Sequence, residues 1–349
     1  MKLLALFFIC LPILSFSQLT ADEEQEIARL KKIIDSEKHD TLKVKALLEW
    51  DNIIYFTDPI QDSTLLKKVV DICKKNLDQD ITLDEKTFFT KKLANGLNYL
   101  GTSMTDLGHY EAAIELHKEG IPVYENAGII NGLDGCTINL GSALYENGEM
   151  KEAIIQFNKG IKLTDQSGNL QYKANALMSL GNIYLNLEQV DKSLEYLHKS
   201  KNIALDINAD RSLGTIYLNL GNSYLTKNDL DSSLYCYRTS LKYAKSLNDD
   251  YTMSTTLNNL GEVHMKLNNM DTSLYYYTKG MELREDLNLQ SNLIYSYSGL
   301  CSWHTKQKNS SKAVQWGEKG LNLAKQFKSH VHTVPAAQSL FEAYQLSGD

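Results

Sequence analysis

Apolar residues return along most of this chain with the spacing of helices. In one stretch Tyr217, Leu220 and Tyr224 fall at i, i+3 and i+7, a single helical stripe. After a short polar turn, Leu230, Ser233, Leu234 and Tyr237 give a second, complementary face. The pattern then repeats: Leu100, Leu140, Leu180, Leu220, Leu260, Leu300 and Leu340 recur every 40 residues without a gap. The residue after each is Gly101, Gly141, Gly181, Gly221, Gly261, Cys301 and Phe341, so a small side chain follows the leucine in six of seven copies. A glycine or cysteine there lets two helices approach closely, whereas a bulky residue would wedge them apart. Each unit therefore reads as two amphipathic helices joined by a tight turn. One such hairpin leaves apolar surface in water, and stacking the hairpins covers it. Only four prolines interrupt the 349 residues, which suits an all-α chain.

Around the dipeptide the segments read LNYLGTSM, TINLGSAL, LMSLGNIY, YLNLGNSY and LNNLGEVH. Turn residues Gly108, Gly148, Asn228 and Asn268 follow them, and then the second-segment small residues Ala113, Ala153, Ser193, Ser233, Ser273 and Ala313. In these positions the chain resembles the tetratricopeptide repeat over residues 94–349. The resemblance implies a right-handed α-solenoid of stacked hairpins with units at 94–127, 134–167, 174–207, 214–247, 254–287 and 294–327, and a partial one at 334–349. The unit here is about six residues longer than the family's 34. It lacks the family's proline at the end of the second helix: Glu125, Asp165, Leu205, Lys245, Glu285 and Lys325 stand there. Second helices are expected to run on into loops such as Ser167-Gly168-Asn169 and Asn248-Asp249-Asp250. Upstream, residues 18–80 read as a cap: a charged helix from Ala21 to Ser36, then a degenerate hairpin bracketing Thr57-Asp58-Pro59. Residues 81–93 read as a linker and the entry into the first helix of the array. The last hairpin is half made at Asp349, the expectation being a longer parent chain or a truncated reading frame.

Charge and the N-terminus narrow the function. The formal charge is −7 and no clustered basic run exists, so nucleic acid is not an expected partner. Residues 1–17 carry Lys2, an apolar run from Leu3 to Leu14 and the small-residue pattern Ser15-Phe16-Ser17, the make-up of a secretory signal peptide. That run is too short to span a bilayer, and no later segment is long enough, so no membrane span is expected. Cys73, Cys136, Cys236 and Cys301 lack paired spacing and read as buried thiols, with neither a disulfide framework nor a zinc site.

The resemblance places a binding groove on the first helices. Carried over, it implicates Asn139, Asn219 and Asn259 just before the leucine, with Ser142, Asn182, Asn222 and Glu262 two residues after it. Met178, Leu218 and Asn258 come two before it, and Leu185, Leu225 and Met265 five after it. Asparagine amides pair with an extended partner's backbone while leucine and methionine accept its side chains. The competing reading for Asn139, Asn219 and Asn259 is bonding within or between hairpins. Ile138, Met178 and Leu218 stand where the family's carboxylate-clamping lysines would be needed, which disfavours a chaperone tail. His264 and His304 replace a core aromatic and read as core, and His330 and His332 as a solvated loop before Pro335. Asp78, Asp80, Asp84 and Glu85 imitate a calcium loop in charge only, and Gly128, Gly132 and Gly135 read as an inter-repeat turn. Tyr237 and Tyr277 fall on the packing face, Tyr235 and Tyr275 off it. No catalytic motif, cofactor fingerprint or metal set is present. The expectation is a non-catalytic, exported scaffold holding a protein or peptide. It resembles the extracytoplasmic sensing region of Bacteroidetes-type signalling proteins, with a secreted assembly scaffold or an enzyme accessory subunit as alternatives.

Overall fold

The computed structural model of the chain describes residues 19–55, 57–326 and 330–347, and all the regular structure in them is helical. The segment read as a signal peptide lies outside these residues. The chain divides into two compact units, with the boundary near residue 203. The N-terminal unit opens with α1 (Ala21–Ile34), α2 (Asp40–Ile54), α3 (Pro59–Leu77) and α4 (Leu83–Asp106). It continues through α5 (Tyr110–Asn126), α6 (Ile130–Glu146), α7 (Met150–Ser167), α8 (Leu170–Asn186) and α9 (Val190–Asp206). The C-terminal unit holds α10 (Asp210–Thr226), α11 (Leu230–Ser246), α12 (Asp250–Lys266), α13 (Met270–Asp286), α14 (Gln290–Lys306), α15 (Ser310–Gln326) and α16 (His330–Ser347). Within each unit a helix packs on the next, and first helices also touch across hairpins: α4 on α6 and α6 on α8 in one unit, α10 on α12, α12 on α14 and α14 on α16 in the other. This is an all-α stack of helical hairpins.

The helix length follows from the turns. Positive φ falls at Gly108, Gly128, Gly148, Gly168, Glu188, Asn208, Asn228, Asn248, Asn268, Asn288 and Lys308, one position every 20 residues. Ten of these turns close alike: around Asn228, its own N–H reaches the Leu225 carbonyl at 3.0 Å and the Asp229 N–H reaches back to the Tyr224 carbonyl at 2.9 Å. That pair of bonds satisfies the last carbonyls of a helix whose next residue adopts the left-handed conformation. The six extra residues of the unit are thus shared between both helices and do not simply lengthen the second. First and second helices are mostly 17 residues each, as in α10 and α11. The first helices begin at 130, 170, 210, 250 and 290, a turn ahead of the expected units. In α6 that extra turn is set off by a kink at Asn131 and Gly132, with Gly132 at φ 111°.

Two further expectations need correction. Residues 83–93 are the first half of the 24-residue α4, started by a capping box in which the Thr82 hydroxyl accepts from the Glu85 N–H and the Glu85 carboxylate accepts from the Thr82 N–H. Asp84 and Glu85 sit in that first turn, where acidic side chains complement the helix dipole. The segment before Pro335 is also no loop, since α16 begins at His330.

The repeated leucines are the spine of both interiors: Leu180 and Leu260 are 0% exposed and Leu220 is 1% exposed. Each such burial stabilises by about 1.5–3 kcal/mol. The small residue after the leucine faces one large residue of the second helix. A Cβ added at Gly101 would meet His117 at 2.7 Å, at Gly141 Phe157 at 3.0 Å, at Gly181 Leu197 at 2.6 Å, at Gly221 Tyr237 at 2.4 Å and at Gly261 Tyr277 at 2.8 Å. In the last hairpin the sizes are redistributed: Gly317 faces Cys301, and Leu340 fills the space. Cys73, Cys136, Cys236 and Cys301 are buried thiols that form no disulfide among the described residues, and burial pushes the Cys73 and Cys136 thiols up to about 12. Tyr237 and Tyr277 are core while Tyr235 and Tyr275 are exposed. His264 is buried and stacked on Tyr276 at 5.4 Å, and His304 is buried beside Trp303.

Candidate functional site

The first helices carry polar rungs from one hairpin to the next. In the N-terminal unit the Asn139 amide donates to Asn98 Oδ1 and to the Thr102 hydroxyl, both at 3.1 Å. In the C-terminal unit the Asn259 amide donates to Asn222 Oδ1 at 2.9 Å, and the Tyr237 hydroxyl donates to the same oxygen at 2.7 Å. These asparagines link hairpins. Asn222, expected to face a ligand, has its acceptor already taken.

One hairpin later the rung is missing. The position equivalent to Asn139, Asn219 and Asn259 is Gly299, and a Cβ there would meet the Tyr277 ring at 2.5 Å. With no amide to bridge α12 and α14, a cleft of about 540 Å³ opens between them over α13. Four of the expected groove residues, Asn258, Asn259, Glu262 and Met265, line it. Four of its polar atoms are buried without a partner among the described residues: Thr255 Oγ1, Asn258 Oδ1, Arg284 Nε and Ser298 Oγ. Arg284 is 2% exposed, and burial lowers its guanidinium to about 10, still protonated at neutral pH. Its Nη1 donates to the Asn292 carbonyl at 2.9 Å and to the Ser296 hydroxyl at 2.7 Å. Burial raises the Glu262 carboxyl above its ordinary value, and Lys266 at 3.9 Å opposes that shift.

The other expected groove residues lie elsewhere. Leu218 is packed into the core with Tyr237, Leu260 and Val263, and Leu225 is half-buried against that cluster. Asn219 is 8% exposed with Nδ2 unpartnered. On α8 of the N-terminal unit Met178, Asn182 and Leu185 are half-buried, as is Ser142 on α6, whose hydroxyl donates to the Ile138 carbonyl.

Sequence reasoning missed Arg284, Thr255, Ser298 and Asn292. The signal for Arg284 was a break in the repeat, because its equivalents are Tyr124, Thr164, Ala204, Ala244 and Ala324. It also missed a second recess, of about 440 Å³, in the N-terminal unit, lined by Asp51, Tyr55, Tyr99, Asn139 and Tyr172 among others. Asp51 and its neighbour Asp62 are 7% and 1% exposed. Burial, and then the Asp62 carboxylate, push the Asp51 carboxyl up to about 8, and burial raises Asp106 as well. Among the described residues no group of three His, Cys, Asp or Glu could hold a metal ion. No helix among them is long and apolar enough to cross a membrane.

Residues 138–167 and 172–246 match family profiles of the tetratricopeptide repeat. No curated protein matches the chain significantly. Among solved structures, a Rap protein complexed with competence and sporulation factor superposes with a TM-score of 0.62 at 13% identity, covering 94% of this chain and 87% of that one. The apo form of the quorum sensor NprR from B. thuringiensis gives 0.60 at 12% identity, over 93% of this chain and 99% of that one. The Rap conjugation gene regulator of plasmid pLS20 in complex with the Phr* peptide gives 0.55 at 14% identity, over 94% and 95%. At these identities the likeness is one of fold.

Proposed function

We propose that this chain is an interaction scaffold that holds a peptide, or an extended segment of a protein, in the cleft of α12–α14. We further propose that it is exported and serves as the sensory or adaptor part of an envelope signalling protein. The observation that carries the binding reading is the set of four buried polar atoms in one cleft with no partner among the described residues. Buried polar groups in folded proteins are nearly always paired. Four unpaired together are groups whose bonds come from outside the chain, from solvent until a ligand supplies better-placed ones. Asn258 has the chemistry to accept a backbone N–H at Oδ1 and to donate to a carbonyl, as a strand-like segment requires. The pLS20 Rap regulator in complex with its peptide supports the reading, since a fold of this kind accommodates a peptide in that complex. Export rests on the make-up of residues 1–17.

The binding reading is tested with an immobilised pool of degenerate heptapeptides. Asn258→Ala combined with Ser298→Ala is expected to weaken capture at least tenfold with little change in thermal unfolding, since Asn258 Oδ1 and Ser298 Oγ have no partner among the described residues. Undiminished capture contradicts it. Export is tested by fractionation and N-terminal sequencing: a mature chain in the envelope beginning near Gln18 supports it, and a chain retained in the cytoplasm with Met1 opposes it.

A further inference from the structure

We infer that the cleft of α12–α14 contains a carboxylate subsite built on Arg284, so that the bound segment presents a single carboxylate there. The inference rests on the peptide reading and names the chemistry that reading leaves open. A guanidinium has five N–H donors and no acceptor. Arg284 uses Nη1 for the Asn292 carbonyl and the Ser296 hydroxyl. Its other edge, Nε with Nη2, carries no hydrogen bond among the described residues, and Nε is fully buried. That edge is the one that seats both oxygens of a carboxylate in parallel.

The charge makes the same demand. No acidic side chain among the described residues pairs with Arg284, and the unpartnered polar groups that share its cleft, Thr255, Asn258 and Ser298, are all neutral. A buried cation that neither sheds its proton at neutral pH nor has a counter-ion is costly to the fold by itself. Equivalent positions carry alanine or threonine in four hairpins, so packing alone does not call for arginine here. Nor does the family's resemblance supply this site, because the clamping lysines it implies belong to first helices, whereas Arg284 is on the second helix α13.

Glu262 lines the same cleft, seven residues beyond Thr255 on α12, and burial raises its carboxyl above the ordinary value, which weakens its opposition to an incoming carboxylate. A peptide supplies a carboxylate from its C-terminus or from an Asp or Glu side chain, and the chemistry at Arg284 is common to both.

The test uses the full chain, Arg284→Met, Arg284→Lys and three degenerate heptapeptide pools: amidated without acidic residues, amidated with Asp and Glu, and free-acid without acidic residues. Wild type is expected to bind at least one carboxylate-bearing pool tenfold or more tightly than the first, and which pool wins identifies the source. Arg284→Met is expected to lose that preference, and Arg284→Lys to recover part of it. If all pools bind wild type equally, or Arg284→Met keeps the preference, the subsite is overturned while the peptide reading stands. If no pool binds, the peptide reading fails. The subsite is then decided by whether N-acetylglycine, but not N-acetylglycinamide, raises the unfolding temperature of wild type and not of Arg284→Met. An Arg284→Met chain that does not fold leaves the wild-type response to these two probes, and the Arg284→Lys response, to decide the matter.

Discussion

The two units meet the same physical problem with opposite charge. In the N-terminal unit Asp51 and Asp62, which share a hydrogen bond, each bury an Oδ1 without a partner among the described residues; in the C-terminal unit Arg284 buries its guanidinium Nε without one. A carboxyl resolves the cost internally by keeping its proton, as the rise of Asp51 to about 8 records. A guanidinium has no such recourse near neutral pH. A buried acidic pair therefore reads as a proton-holding element of the fold, and a buried lone arginine as a request for an anion from outside. The sign of the charge, more than the volume of the recess, tells which of the two clefts expects a ligand.

Both units are built on one interior rule, without which they could not be compared, and breaking that rule gives the largest expected effect. Gly221→Leu drives a side chain into the Tyr237 ring, which stands only 2.4 Å from where a Cβ would lie, and is expected to cost about 3 kcal/mol or more. Gly141→Ala, where Phe157 stands 3.0 Å away, should cost less than Gly221→Ala. Equal, negligible losses in urea unfolding would contradict the shared register.

Next in size is the pH response of the N-terminal unit. The folded pKa of Asp51 lies above the unfolded one, so its favourable contribution is complete below about pH 4 and is lost as pH rises to about 8. Unfolding free energy is expected to fall by on the order of a few kcal/mol across that window, and Asp51→Asn to flatten the curve. A wild-type curve that is already flat, or one that rises with pH and responds to Asp51→Asn, would sink the assignment.

Asn222→Ala removes the acceptor of Tyr237 and Asn259 and is expected to cost about 1–2 kcal/mol in thermal unfolding. Unchanged stability would return Asn222 to the ligand-facing set. The smallest effect compares turns, one in each unit: Glu188 and Lys308 hold φ of 59° and 58° where other turns have glycine or asparagine. Glu188→Gly and Lys308→Gly should each stabilise by about 0.5–1 kcal/mol. A loss in either would show that side-chain contacts, and not backbone strain, decide that turn.

The interior was legible because it repeats. Leu180, Gly181 and Tyr237 announce themselves at the 40-residue period, and a leucine followed by glycine has one physical meaning in a helical pair. Helix lengths were harder to read, because the 20-residue period of left-handed turns is written in glycine, asparagine, glutamate and lysine, and only the backbone shows that these are equivalent. At the groove, Asn258 and Asn259 line the cleft, but the sequence does not tell an asparagine committed to a rung, such as Asn222, from one whose Oδ1 is left without a partner among the described residues, such as Asn258. Arg284 escaped because the resemblance directs attention to first helices, and its importance lies in departing from the pattern. Asp51 and Asp62 lie outside the regular repeat, where no period brings them together.

Hydrogen–deuterium exchange with and without the heptapeptide pools tests the central claim most directly. Protection on binding is predicted at residues 251–265 and 284–302 and not around Asp51 and Asp62. Protection confined to the N-terminal recess, or none at any concentration, would contradict the assignment of the cleft on α12–α14 as the binding site.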